Sequence, residues 1–239
     1  MVSGGVLGPA QCAKPLEKPV SLHYAAVAAQ LAPALESRAL HWLPTPRRHA
    51  VERLREPADR AATLAGVALL VRALHEAGLE FGAGRLEYPP GAKPRLRDGP
   101  DFSIAHAPSA DGGRLVACVL ATGMRVGLDL EPRGAARAAQ LRLVLGPGER
   151  AAVAAGRLDP TDAWVMKEAV LKAAGRGAVR ARDVELQGRC ASCEGVQWRL
   201  HPVDLGEPHA AWLATDDQRL AGVPAARRCT AADLLALPP

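Results

Sequence analysis

The hexapeptide Val126-Gly127-Leu128-Asp129-Leu130-Glu131 alternates apolar and acidic residues. In a strand, alternate residues share a face, so Val126, Leu128 and Leu130 turn to a core and Gly127, Asp129 and Glu131 to the other side. The two carboxylates then stand about 7 Å apart at Cα and repel unless a cation or water lies between them. Gly127 leaves space beside them, and Pro132 ends the strand. Taken alone, the pair reads as the solvated face of an edge strand.

A second segment changes that reading. In Trp164-Val165-Met166-Lys167-Glu168-Ala169-Val170-Leu171-Lys172, helical spacing puts Trp164, Glu168 and Lys172 on one face. A lone Glu-to-Lys pair four residues apart is an ordinary exposed ion pair. Here the flanking Met166, Ala169, Val170 and Leu171 make the helix apolar nearly all round, so the charged stripe is enclosed. Lys167 and Lys172 are also two of only five lysines in the chain, beside 25 arginines. Glu168 would add a third carboxylate to Asp129 and Glu131. Three oxygen ligands with further positions open suit Mg²⁺ that also holds substrate phosphates, with lysines meeting the phosphate oxygens. His106, in the alternating run Phe102–Ala107, faces the core or a cleft, and Gly91-Ala92-Lys93-Pro94-Arg95 is a basic loop upstream of it.

Along the chain, residues 1–19 are rich in Gly and Pro and read as loosely ordered. Val20, Leu22 and Tyr24 alternate as a short strand. Helices are expected from Thr45 to Arg55 and from Pro57 to Ala77, the second with the stripe Leu64, Val67, Leu70 and Leu74. Strands follow over Asp101–Ala107, Arg114–Ala121 and Arg125–Glu131, with turns at Gly112-Gly113 and Thr122-Gly123. Ala135 to Gly156 is helical in composition, broken at Gly146-Pro147-Gly148. A helix from Asp159-Pro160 to Ala174 is closed by Gly175. Strands return at Asp183–Gln187, Val196–His201 and Ala210–Thr215. Helices first, then three strands, occur twice: an α+β pattern with a seam near Gly123.

Phe102–Ala107, Val126–Glu131 and Trp164–Gly177, in this order and spacing, resemble the 4′-phosphopantetheinyl transferases. The length matches the single-chain type that activates surfactin synthetase. The resemblance implies two similar α+β subdomains related by a pseudo-twofold, residues 1–122 and 123–239, with coenzyme A bound between them. It implies Asp129, Glu131 and Glu168 as Mg²⁺ ligands, with the ion bridging the pyrophosphate. It implies transfer of 4′-phosphopantetheine to a serine of an acyl or peptidyl carrier protein, leaving adenosine 3′,5′-bisphosphate. Glu168 would accept the serine proton, and Lys172 would stabilise charge on the leaving phosphate. His106 and Lys167 would contact coenzyme A phosphates. Lys93 and one of Arg47, Arg48 or Arg60 would hold the 3′-phosphate. Three departures stand out. Ala105 and Ala107 replace the serines that often flank the histidine, with the loss of a phosphate contact. The loop reads Gly91-Ala92-Lys93-Pro94 where the family has Gly-Lys-Pro. Ala62 falls where a phosphate-binding Arg is expected. The alanine changes motivate a rival, a degenerate relative that binds coenzyme A or a carrier without transfer. A Mg²⁺-dependent phosphohydrolase is a third reading that nothing in the sequence demands.

Composition bounds the rest. In 239 residues, 49% are hydrophobic and 23% charged, which excludes dominant disorder. The net charge of +5 suits an anionic partner, but no zinc-finger, basic-region or RNA-binding pattern points to nucleic acid. No run of 18 apolar residues suggests a membrane span. Five widely spaced cysteines in a chain without a signal peptide read as reduced thiols of the cytoplasm. Two half-sites in one chain make a monomer sufficient. Cys190-Ala191-Ser192-Cys193 lacks a second pair at zinc spacing and reads as a hairpin turn. Arg133, Arg137 and Arg142 read as a solvated helix face, on a side where an acidic carrier could dock.

Overall fold

The computed structural model describes residues 19–175, 178–206 and 208–237. The Gly- and Pro-rich start, with Cys12, Lys14 and Lys18, lies outside them. The chain opens with strand β1 (Val20–Val27) and the helices α1 (Pro33–His41), α2 (Thr45–Glu52) and α3 (Pro57–Glu76). Short strands β2 (Leu86–Glu87) and β3 (Arg95–Leu96) frame the basic loop. Then come β4 (Asp101–Pro108), β5 (Arg114–Ala121) and β6 (Val126–Pro132). Helices α4 (Ala138–Val144), α5 (Pro147–Ala154) and α6 (Pro160–Ala174) follow. Strands β7 (Glu185–Gln187), β8 (Cys190–Cys193), β9 (Val196–Pro202) and β10 (His209–Thr215) complete a second sheet. Strand β11 (Arg227–Arg228) and helix α7 (Ala231–Leu235) end the chain.

The expectation of helices followed by three strands needs correcting. β6 does not extend the β4–β5 hairpin; it leaves for the second sheet and pairs antiparallel with β10. The sheets run β11-β1-β5-β4 and β6-β10-β9-β8-β7. Each therefore begins with a strand, passes through helices, and inserts its last long strand (β5 or β10) beside its first. The turn at Thr122-Gly123 is where the chain changes sheet. The tail crosses back over it: β11 pairs with β1, so the segment from 227 onward packs on the first sheet although it follows the second. Cys190–Cys193 is strand β8 and not a turn, with Cys190 exposed and Cys193 buried.

Side-chain alternation stacks these layers. Along β5, Val116, Cys118 and Leu120 face α1 and α3, while Leu115, Ala117, Val119 and Ala121 face the second sheet. Val126, Leu128 and Leu130 of β6 meet that second set, as their spacing predicts. α6 covers the far side of the second sheet, over Trp198, Leu200 and Trp212. With few rings available, small residues let the layers close. A Cβ at Gly66 would lie 2.6 Å from Ile104 Cγ2, so α3 sits hard against β4. Among the described residues, no helix is long and apolar enough to cross a membrane.

Candidate active site

The local chemistry of α6 fixes both of its ends. The Asp159 carboxylate accepts from the Thr161 and Asp162 N–H groups at 2.8 and 3.0 Å, Pro160 occupies the first turn, and Gly175 takes φ 76° beyond the last. The space expected beside Gly127 is filled by this helix. A Cβ there would stand 2.0 Å from Ala169 O and 2.4 Å from Ala173 N. The missing side chain thus lets α6 lie directly on the acidic face of β6. That approach brings Lys172 Nζ to 2.6 Å from Asp129 Oδ1. β6 is an edge strand, but its acidic face is not solvated, since Asp129 is only 8% exposed.

The three acids work against one another. Burial pushes Asp129 up, with Lys172 offsetting part of it. Burial and the neighbouring Asp129 push Glu131 up. Glu168 is raised to about 7 by burial and by Asp129 and Glu131, against the pull of Lys172. Its Oε1 is buried with no hydrogen-bond partner. A concentration of negative charge with an unpartnered buried oxygen is what a hard divalent cation would relieve. Asp129, Glu131 and Glu168 could therefore hold such an ion. Among the described residues no three His, Cys, Asp or Glu side chains form a ready metal cluster, and Lys172 sits on Asp129 instead.

Lys172 also borders a cavity of about 450 Å³. Its wall comes from α2 (Arg47), α3 (Thr63), the loop after β2 (Tyr88, Lys93), β4 (His106) and α6 (Lys172). Phe102, Ile104 and His106 share one face of β4, as the alternation predicts, and all three line it. Desolvation and the Lys172 charge hold the His106 imidazole below the usual histidine value. The Arg47 guanidinium lies 5.0 Å from the centre of the Tyr88 ring, and its Nε is buried without a partner. The cavity is a mostly apolar cleft with a few convergent polar groups, a common form for a ligand site, and Lys172 on its wall reaches Asp129.

Several expected contacts fall elsewhere. Lys167 is 1% exposed; its ammonium binds Glu149 Oε2 at 2.8 Å and the carbonyls of Ala181 and Val184. It faces away from the cavity, so it takes no cofactor phosphate. Arg48 donates to the carbonyls of Leu40 and Leu43 at 2.9 and 3.5 Å, and Arg60 pairs with Glu36; neither lines the cavity. Of the three arginines only Arg47 does. Lys93 lines it, but its ammonium is bound to Asp101 and to Val126 O. Ala105 and Ala107 are buried in the apolar layer between the sheets, on the face opposite His106. Neither alanine lines the cavity, although Ser103 on the same face of β4 does. Arg133 is exposed and 3.4 Å from Asp162; Arg137 and Arg142 lie exposed on or beside α4, the solvated face expected. Sequence reasoning missed Thr63, Tyr88 and Asp101. Tyr88 carried a faint signal, as one of two tyrosines in the chain, just ahead of the basic loop.

Residues 125–221 match the family model of the 4′-phosphopantetheinyl transferase superfamily. The match covers β6 with its two acids and the whole of α6. It stops short of α2, α3 and β4, which make the other cavity wall. No curated protein matches the chain.

Proposed function

We propose that this protein transfers 4′-phosphopantetheine from coenzyme A to a serine hydroxyl of an acyl or peptidyl carrier protein, with Mg²⁺ as cofactor. The observation that carries the proposal is Lys172, which lines a cavity that α2, α3, β4 and α6 enclose together and binds Asp129, the acid whose charge raises both Glu131 and Glu168. The superfamily match over 125–221 supports the same reading from sequence.

Asp129, Glu131 and Glu168 would hold the ion. When bound, Mg²⁺ neutralises charge on the pyrophosphate and on the phosphoryl group in flight. The chain's own groups do the rest. Lys172 leaves Asp129 for the leaving phosphate, exchanging one anion for another. His106 binds a phosphate oxygen from the β4 wall. Arg47, steadied over Tyr88, takes the 3′-phosphate. Glu168 accepts the serine proton directly or through one water. The new bond joins the serine oxygen to phosphorus, the pyrophosphate bond breaks, and adenosine 3′,5′-bisphosphate departs. One chain supplies both cavity walls, so a monomer suffices, and the setting is the cytoplasm. The non-transferring relative rests on Ala105 and Ala107, neither of which lines the cavity.

Intact-mass spectrometry of an apo carrier protein, incubated with this protein, coenzyme A and MgCl₂, tests the proposal. A gain of about 340 Da that EDTA abolishes is the expected result for this phosphoryl transfer. No gain on either an acyl or a peptidyl carrier, with coenzyme A still bound, would favour a binder.

A further inference from the structure

Lys93 was expected at a phosphate, and its surroundings assign it other work. Its Nζ lies 2.7 Å from each oxygen of Asp101 and 2.6 Å from Val126 O. An ammonium has three N–H donors, so all are engaged within the chain. Asp101 Oδ2 also accepts from the Val126 N–H at 2.8 Å. The pair therefore grips both backbone polar groups of Val126, the residue that opens β6.

That grip matters because of what β6 lacks. It is the outer strand of its sheet, with no ladder on that side. β4 supplies side chains in place of a ladder: Asp101 takes the Val126 N–H and Ser103 Oγ takes the Leu128 N–H at 3.0 Å. Asp129 comes next on the strand. Lys93 belongs to the cavity loop, and its Cβ lies 4.0 Å from the point a Cβ on Gly175 would occupy, at the end of α6. One side chain thus ties the cavity loop to β4 and β6, beside the end of α6.

We infer that Lys93 is a positioning residue: with Asp101 it clamps the cavity loop to the start of β6, and so fixes Asp129 and Glu131 relative to the cavity, instead of holding a ligand phosphate. The inference rests on the function proposed above, since the position it sets is that of the transfer site.

Asp101 does not line the cavity, which makes Asp101→Asn the informative variant. Asp101→Asn and Lys93→Met should each lower kcat about tenfold while the coenzyme A KM stays within about threefold, because misplacement near 1 Å is costly to chemistry. The double variant should be no worse than either single one, as expected for two halves of one contact. Hydrogen exchange across 126–131 should quicken in each, with that of α3 unchanged. If Asp101→Asn does not fold, Lys93→Met with Asp101→Met, which leaves no unpaired buried charge, should show the same fall in kcat and the same exchange. A calorimetric coenzyme A Kd raised about tenfold or more by Lys93→Met, beside wild-type behaviour in Asp101→Asn, would make Lys93 a phosphate ligand and overturn the inference. A wild-type protein that transfers nothing removes the proposed function instead, and the exchange comparison then decides the clamp by itself.

Discussion

The Lys172 ammonium rests 2.6 Å from Asp129 Oδ1, joining the middle of β6 to the last turn of α6. Asp129 thus holds the cation that the proposed chemistry needs, on the acid that would also bind the metal. Asp129→Ala should lower transfer by about a hundredfold or more, as the loss of a preorganised electrostatic group does. Circular dichroism should remain native. The rate of holo-carrier formation followed by mass is the measurement, and retained transfer would remove Asp129 from the site.

Gly127→Ala asks two backbones to share one space. The added methyl group meets Ala169 O and Ala173 N, neither of which is the end of a flexible side chain. Overpacking of this kind costs about 1–3 kcal/mol, and here the helix must shift to relieve it. Urea unfolding should show the loss, and transfer should fall further than stability explains, because Glu168 and Lys172 move with α6.

Lys167 and Glu149 form a buried pair, 1% and 10% exposed at their side chains. Glu149 also accepts from the N–H groups of Gly146 and Leu186, at 2.7 and 2.9 Å. Glu149→Ala should destabilise by about 3–5 kcal/mol, since it strands a buried ammonium. Glu149→Leu with Lys167→Met should recover much of that loss in equilibrium unfolding. A coenzyme A Kd changed by Lys167→Met in the folded protein would return that lysine to the cavity.

Glu76 binds His23 and Arg227 at 2.9 Å each, and Arg72 as well. Burial raises its carboxyl, but the bonds from His23 and Arg72 outweigh that and hold it below 4.5. A carboxylate lowered by folding contributes stability above its unfolded pKa and loses it as pH falls through the folded value. Glu76→Gln should therefore be less stable than wild type by about 1–2 kcal/mol at pH 7. The two proteins should converge below pH 4.5 in thermal unfolding across a pH series.

The sequence showed the acid strand and the helix that carries Glu168 and Lys172 clearly, because their signals are local. Pro160 and Gly175 bound the helix, and alternation places Asp129 and Glu131 together. It could not distinguish Lys167 from Lys172. Both are lysines on one helix, and only the side on which α6 meets β6 separates a buried strut from a site residue. Gly127 was misread for the same reason: an absent side chain signals either open space or close approach. Arg48 and Arg60 were candidates by type, while their carbonyl and Glu36 partners come from packing. The two-residue β11 has no periodicity at all; its pairing with β1 is set wholly by tertiary context.

The return of the chain end to the first sheet bears on how the molecule assembles. Cys229 N–H donates to Tyr24 O at 2.7 Å, Leu234 and Leu237 are buried against α1 and α3, and Arg38 holds the carbonyls of Leu235 and Leu237 at 2.6 and 2.7 Å. On the ribosome, β1 emerges long before the segment that covers its outer edge. Until then that edge offers unpaired N–H and C=O groups to any neighbouring strand. The first sheet to be synthesised is thus the last to be finished, and a nascent chain stalled after β10 would carry a complete second sheet, with Asp129 and Glu131 in place, on an aggregation-prone partner.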